Sequence, residues 1–288
     1  MRILSDFDGV WTDQQDEARF AQVWLANEVA SLIGCAVEEA LGDFDAFYAL
    51  SMGEPGQNGW APDGRITGFV DEDPALSTGS VAYWLEQGGE YRVGATCRAE
   101  AWRSGLRGAG YASIEDFASS HFHPAMNAFR LERGHALVEG ASEIVDRILS
   151  EGHELVFVSN SPVEKLREML GAEGIASGDR IRVLGDAKKW LIRNDDPRVN
   201  VDGREVHMDR PHYEAILLEV QPDLVVGDVA SFDLALPAYM RWQGRLSADL
   251  RLVLRRSANS SKWALAQAAS TDALRLVDEI VDSVAELS

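Results

Sequence analysis

Two acids five residues apart, Asp228 and Asp233 in Gly227-Asp228-Val229-Ala230-Ser231-Phe232-Asp233, follow the short apolar run Asp223-Leu224-Val225-Val226. Carboxylates at a strand end suit a hard, oxygen-seeking cation such as Mg²⁺, which needs few protein ligands. Three other groups stand in comparable places. Ser159 and Asn160, in Val158-Ser159-Asn160-Ser161-Pro162, offer hydroxyl and amide donors where an apolar run meets the start of a helix, a ready place for a phosphate. Lys188 and Lys189 follow Arg180-Ile181-Arg182-Val183-Leu184 and can neutralise phosphate or carboxylate charge beyond a strand end. Asp6 and Asp8, in Ile3-Leu4-Ser5-Asp6-Phe7-Asp8-Gly9, sit one residue apart after the first apolar run. On an extended backbone they begin on one face, and Gly9 permits the turn that would rotate them.

Each group also has an ordinary structural explanation. Ser159 to Pro162 fits helix capping with Pro162 in the first helical position, the lysines fit a solvated surface, and both acid pairs arise by chance. What sets them apart is their shared position, each beyond the end of an expected strand.

Those strands alternate with helices. The faces Ile144, Val145, Ile148, Leu149 and Val163, Leu166, Met169, Leu170 have helical spacing, and Tyr213 to Val220 is helical. Strands are expected at Glu154–Val158, Arg180–Leu184, Asp223–Val226 and Leu250–Leu254, with a hairpin about Asp202-Gly203 in Val199–Val206. Leu276, Val277, Ile280, Val281 and Val284 suggest a closing amphipathic helix. The alternation points to an α/β fold with a parallel sheet covered on both faces, where active groups gather beyond the carboxyl ends of the strands.

Residues 14–136 read differently. Phe20, Val23, Trp24, Ala30 and Ile33 mark a helical stripe, and the segment from Gly53 to Gly79 is loop-like in its Gly, Pro and Asp content. Helical texture returns at Val81–Leu85, Ala99–Leu106 and Pro124–Leu131.

Composition narrows the classes. The chain has 288 residues, enough for one large or two modest domains, and 46% of them are hydrophobic. Forty-seven acidic against 27 basic side chains give a formal charge of -20, which disfavours nucleic acid and anionic lipid as partners. Cys35 and Cys97 have no metal or redox spacing and suggest a reducing compartment. No apolar window approaches the ~18 residues of a membrane span and no leader is evident, so a soluble, cytoplasmic protein is expected.

The four groups, in their order, resemble the haloacid dehalogenase superfamily: its DxDG motif (Asp6, Asp8), its strand-end Ser (Ser159) and its GDxxxxD motif (Asp228, Asp233). The resemblance spans residues 1–13 and about 137–288. It implies a Rossmann-like parallel sheet core, with residues 14–136 an inserted, mainly helical cap that closes over the site and sets specificity. It implies Mg²⁺ held by Asp6, the Asp8 carbonyl and Asp228. Asp6 corresponds to the nucleophile that forms an aspartyl-phosphate and Asp8 to the general acid and base. Ser159, Asn160 and Lys189 would bind the phosphate, with Asp233 in support. For the cation, Lys188 and Arg210, the latter before Pro211, remain alternatives to Lys189. A carboxylate at position 8 favours phosphoryl transfer over carbon-halogen cleavage. The expectation is a Mg²⁺-dependent phosphatase for a small phosphorylated metabolite; a phosphomutase and a silent scaffold are the other readings, and the oligomeric state is open.

Other residues fit simpler roles. His121 and His123 suit packing or capping, Arg98, Arg103 and Arg107 a solvated helix face, and Trp11 either the pocket border or the core.

Overall fold

The computed structural model describes residues 1–134, 136–193, 197–272 and 274–287. The chain divides into two compact units, Met1–Asp13 with His135–Ser288, and Gln14–Gly134.

The first unit is α/β. Six parallel strands lie in the order Glu279–Val281, Arg251–Arg255, Leu224–Gly227, Arg2–Asp6, Glu154–Val158, Ile181–Leu184. Parallel neighbours need long crossovers, and the helices Ala141–Ser150, Val163–Ala172, Pro211–Val220 and Ala235–Trp242 supply them. Ile3, Leu155, Phe157, Val183 and Val226 pack against Ile148, Leu166 and Leu170 in one apolar cluster. The alternate residues Leu4, Val156, Val225 and Leu252 are also buried, so both faces are covered, and each large apolar side chain removed from water contributes about 1.5–3 kcal/mol.

The strand order reverses beside Arg2–Asp6. From there the chain builds outward through Glu154–Val158 and Ile181–Leu184, then returns to lay Leu224–Gly227 on the opposite side. Such a switch point leaves a crevice at the carboxyl ends of the two central strands. Register keeps those ends level: Ser5 pairs with both Phe157 and Val226, so Ser159 and Asp228 each emerge just beyond the sheet, on either side of Asp6.

The closing helix expected over Leu276 to Val284 is instead the sixth strand, Glu279–Val281, followed by a short turn Val284–Glu286. Ile280 pairs with Leu254 and Val281 with Arg255, since the β-branched run meets the open edge of Arg251–Arg255. Asp278 anchors its start by accepting from Arg241 Nη1 at 2.5 Å, Arg275 Nη2 at 2.7 Å and the Leu252 amide at 2.9 Å.

The second unit contains the helices Gln15–Ile33, Val37–Met52, Ser77–Glu86, Arg98–Gly108 and Ile114–Arg133, with two minimal hairpins, Gly59–Trp60 with Gly68–Phe69 and Arg92–Val93 with Thr96–Cys97. Leu25, Val29, Phe44, Phe47, Leu85, Trp102 and Phe117 form its core. Pro124 lies inside its helix rather than opening it, because Ser113 supplies the cap by accepting from the Asp116 amide at 2.9 Å.

Of the three arginines expected on a solvated face, only Arg107 is largely exposed. Arg98 grips the buried Asp43 through Nη2 at 2.7 Å, and the Trp102 indole donates to the same carboxylate at 3.2 Å. Arg103 donates to the carbonyl oxygens of Gly89 at 2.8 Å and Leu85 at 3.2 Å. Cys35 and Cys97 are both free thiols. Among the described residues no single helix is long and apolar enough to cross a membrane.

Candidate active site

The loop after Arg2–Asp6 separates the two acids of the first motif. Phe7 is driven into the core against Phe157, the chain then turns with the Trp11 amide bonded to the Phe7 carbonyl at 2.9 Å, and Gly9 adopts φ +79°. Trp11 belongs to the core: it is fully buried against Phe157, and its indole donates to Ser5 Oγ at 2.8 Å. Asp6 and Asp8 consequently meet different partners.

Asp6 joins Asp228 and Asp233, one carboxylate oxygen from each lying within 4.8 Å of the others. Two glycines make this approach possible. A Cβ on Gly9 would fall 2.0 Å from Asp228 Oδ2, and one on Gly227 2.2 Å from Asp233 Cβ. A single π-type turn, Ala230–Leu234, folds Asp233 back onto the strand end, where its Oδ2 accepts from the Val229 amide at 3.1 Å; such turns often serve functional sites.

Lys189 Nζ donates to Asp6 and, at 2.7 Å, to Asp233 Oδ1, with its side chain 2% exposed. Two departures, on either side of Ala187, aim it inward, Asp186 at φ +52° and Lys188 at φ +45°, left-handed values that are costly for non-glycine residues. Lys188 itself is exposed. Arg210, fully buried, donates from Nη1 to the Lys189 carbonyl and lies 5.4 Å from the Phe232 ring centroid. The Tyr213 hydroxyl donates to the Asp233 carbonyl at 2.9 Å. Arg210 and Tyr213 therefore brace the lysine and the acid from behind.

On the other side, Ser159 Oγ donates to Asp8 Oδ2 at 2.6 Å and accepts from the Ser161 amide at 2.9 Å. Asn160 Oδ1 accepts from the Lys189 amide at 2.7 Å, tying the second loop to the third. Pro162 precedes the helix Val163–Ala172 instead of opening it, because its extended ψ of 143° puts it at the cap. Lys165 Nζ, which the sequence pattern does not single out, donates to Asp8 Oδ1 at 2.9 Å and lies 3.4 Å from Ser161 Oγ.

The electrostatics follow from these contacts. Burial pushes the Asp6 carboxyl well above the ordinary carboxylate range, and the Asp233 and Asp8 carboxylates add to that against the pull of Lys189. Burial would lower Lys189, but the Asp233 and Asp6 carboxylates outweigh it and hold the ammonium above its usual value. Asp8, despite burial, is lowered by the Lys165 ammonium and the Ser159 hydrogen bond. Three clustered carboxylates facing one ammonium leave a surplus of negative charge among hard oxygen donors only. That donor set fits a divalent cation such as Mg²⁺.

Within the helical unit His121 has the packing role expected of it: its Nδ1 lies 2.9 Å from the Phe117 carbonyl oxygen and its ring packs on that of Phe117.

No protein-family model and no curated protein sequence matches the chain. Solved structures similar along almost its whole length include a HAD phosphatase from Thermococcus onnurineus, at 10% identity and TM-score 0.48, covering 99% of this chain and 95% of that one. A 2-haloacid dehalogenase from Pseudomonas syringae aligns over the same shares at 16% identity and TM-score 0.43. CbbY from Rhodobacter sphaeroides, in complex with phosphate, covers 100% and 96% at 14% identity and TM-score 0.45.

Proposed function

We propose that this chain is a haloacid dehalogenase superfamily phosphatase that uses Mg²⁺ to hydrolyse a small phosphorylated metabolite through an aspartyl-phosphate on Asp6. The observation that carries the reading is the meeting of Asp6, Asp228 and Asp233 with the buried Lys189 at the strand-order switch point. A scaffold would gain nothing from packing three carboxylates together in a buried crevice, where unpaired charge is costly.

In this reading Asp8, ionised beside Lys165 in the resting site, takes up a proton from the monoanionic phosphate ester as it binds; an Asp6 carboxylate oxygen then attacks phosphorus, and the bond to the leaving oxygen breaks as Asp8 delivers that proton to it. Asp8 then takes a proton from water, whose oxygen attacks the phosphoryl group and breaks the bond to Asp6, releasing inorganic phosphate. Ser159 and Lys189 bind the phosphoryl oxygens, Ser159 exchanging its bond to Asp8 for one to substrate. Asn160 acts indirectly, by holding the Lys189 backbone. Asp6, Asp228 and the Asp8 carbonyl would hold Mg²⁺, with Asp233 adjoining, and the ion would offset the repulsion between carboxylate and phosphate. The helical unit Gln14–Gly134, a cap in this reading, carries substrate choice.

A panel of phosphate monoesters assayed for released phosphate with and without Mg²⁺ tests the proposal. Turnover by the wild type that is lost in Asp6→Asn is expected. Turnover retained in that variant refutes the assigned nucleophile.

A further inference from the structure

Lys165 is a second ammonium in the same crevice, and its situation differs from that of Lys189. The Lys189 side chain is 2% exposed and committed to two acids, whereas those of Lys165 and Asp8 are 15% and 19% exposed. The two oxygens of Asp8 are held from two different places, Oδ2 by Ser159 at the end of its strand and Oδ1 by Lys165 in the first turn of the helix that follows. A carboxylate gripped at both oxygens cannot swing about its terminal torsion, which is otherwise broad.

We infer that Lys165 is a positioning residue that fixes the plane of the Asp8 carboxylate, so that one oxygen stays aimed at the leaving-group oxygen when substrate displaces the Ser159 bond. The inference rests on the proposed phosphatase reading, in which Ser159 turns to the phosphoryl group and releases Oδ2. Lys165 is then the charged tether that remains, beside the weaker bond from the Ser161 hydroxyl. The ammonium reaches Asp8 from the helix, not from the strand end that carries Ser159, so the tether does not depend on the group that substrate claims.

A proton donor matters most when the departing oxygen is a poor leaving group, and less when it leaves as a stabilised aryloxide. Lys165→Met should therefore lower kcat on an alkyl phosphate at least about tenfold more than on p-nitrophenyl phosphate, since aligned proton transfer contributes ~10²–10⁴-fold. KM should change little on either ester, and Lys165→Arg should recover part of the loss. Equal losses on the two esters, or a loss confined to KM, overturn the inference and make Lys165 a substrate-binding cation. A crystal structure of Lys165→Met gives a reading independent of turnover: an Asp8 carboxylate rotated from its present plane supports the tether, and one that has not moved overturns it. Asp6→Asn, assayed beside it, reports separately on the phosphatase reading.

Discussion

Alanine at position 9 tests how closely the first and last motifs approach each other. Gly9 has φ +79°, and its missing side chain is space that Asp228 occupies: a Cβ would lie 2.0 Å from Oδ2, 2.6 Å from Cγ and 3.0 Å from Oδ1. Since heavy atoms in contact normally stay about 3.5 Å apart, the carboxylate must withdraw by more than about 1 Å. Two separable effects follow. Left-handed backbone costs alanine about 1–2 kcal/mol, a stability loss. Displacement of about 1 Å at a reacting centre costs on the order of 10²-fold in rate, an activity loss. Gly152→Ala isolates the first, because Gly152 has φ +83° with nothing within 4 Å of the same hypothetical atom. The assay is Mg²⁺-dependent release of phosphate from the best ester of the panel, with thermal melts in parallel. Gly9→Ala should lose activity by about 100-fold and Gly152→Ala should not, while both melt a few degrees lower. Activity of Gly9→Ala within about twofold of wild type, against that expected 100-fold, would refute the link between Gly9 and Asp228.

Three further outcomes follow from the contacts. Lys189→Met strands Asp6 and Asp233 without their cation, so urea unfolding should show a loss of about 3 kcal/mol, partly recovered when Mg²⁺ is added. Saturating Mg²⁺ should raise the melting temperature of the wild type, by the equivalent of about 2.7 kcal/mol at a hundredfold excess over Kd, and should leave Asp228→Asn nearly unchanged. Asp278 is held below the ordinary carboxylate value because, despite burial, Arg241 and Arg275 bind its ionised form. Its contribution is therefore present above the unfolded value of about 3.9 and lost as pH falls through the lower folded one. Asp278→Asn should accordingly cost about 1 kcal/mol at neutral pH, after allowance for solvent screening, and progressively less as pH falls below the unfolded value and through the folded one.

The parallel strands were legible because each is a short apolar run bounded by polar residues, as in Glu154–Val158 and Leu224–Gly227. Leu276 to Val284 misled because its apolar spacing suits either period; the free edge of Arg251–Arg255 decides it, and an edge is invisible to a local pattern. Arg98 and Arg103 misled in the same way. Charge and helical spacing suggest solvent, but Asp43 from the helix Val37–Met52 and two carbonyl oxygens draw them inward. Within the site, Asp6, Ser159, Lys189 and Asp228 announce themselves by standing at strand ends. Arg210 stands out in the sequence through the Pro211 that follows it, as an alternative to Lys189, and the structure gives it a bracing contact with the Lys189 carbonyl; Lys165 and Tyr213 act from helix turns, where lysine and tyrosine are ordinary, so only their three-dimensional partners reveal them.

The central place of Arg2–Asp6 in the sheet has a price during synthesis. Its partners lie at Glu154–Val158 and Leu224–Gly227, so at ~5–20 residues per second the strand waits roughly 10–45 s on the ribosome before both flanks exist. The helical unit, whose elements are near neighbours along the chain, can collapse in that interval. Ile3 and Leu4, both fully buried at the end, stay without strand partners on both sides until Leu224–Gly227 has been made.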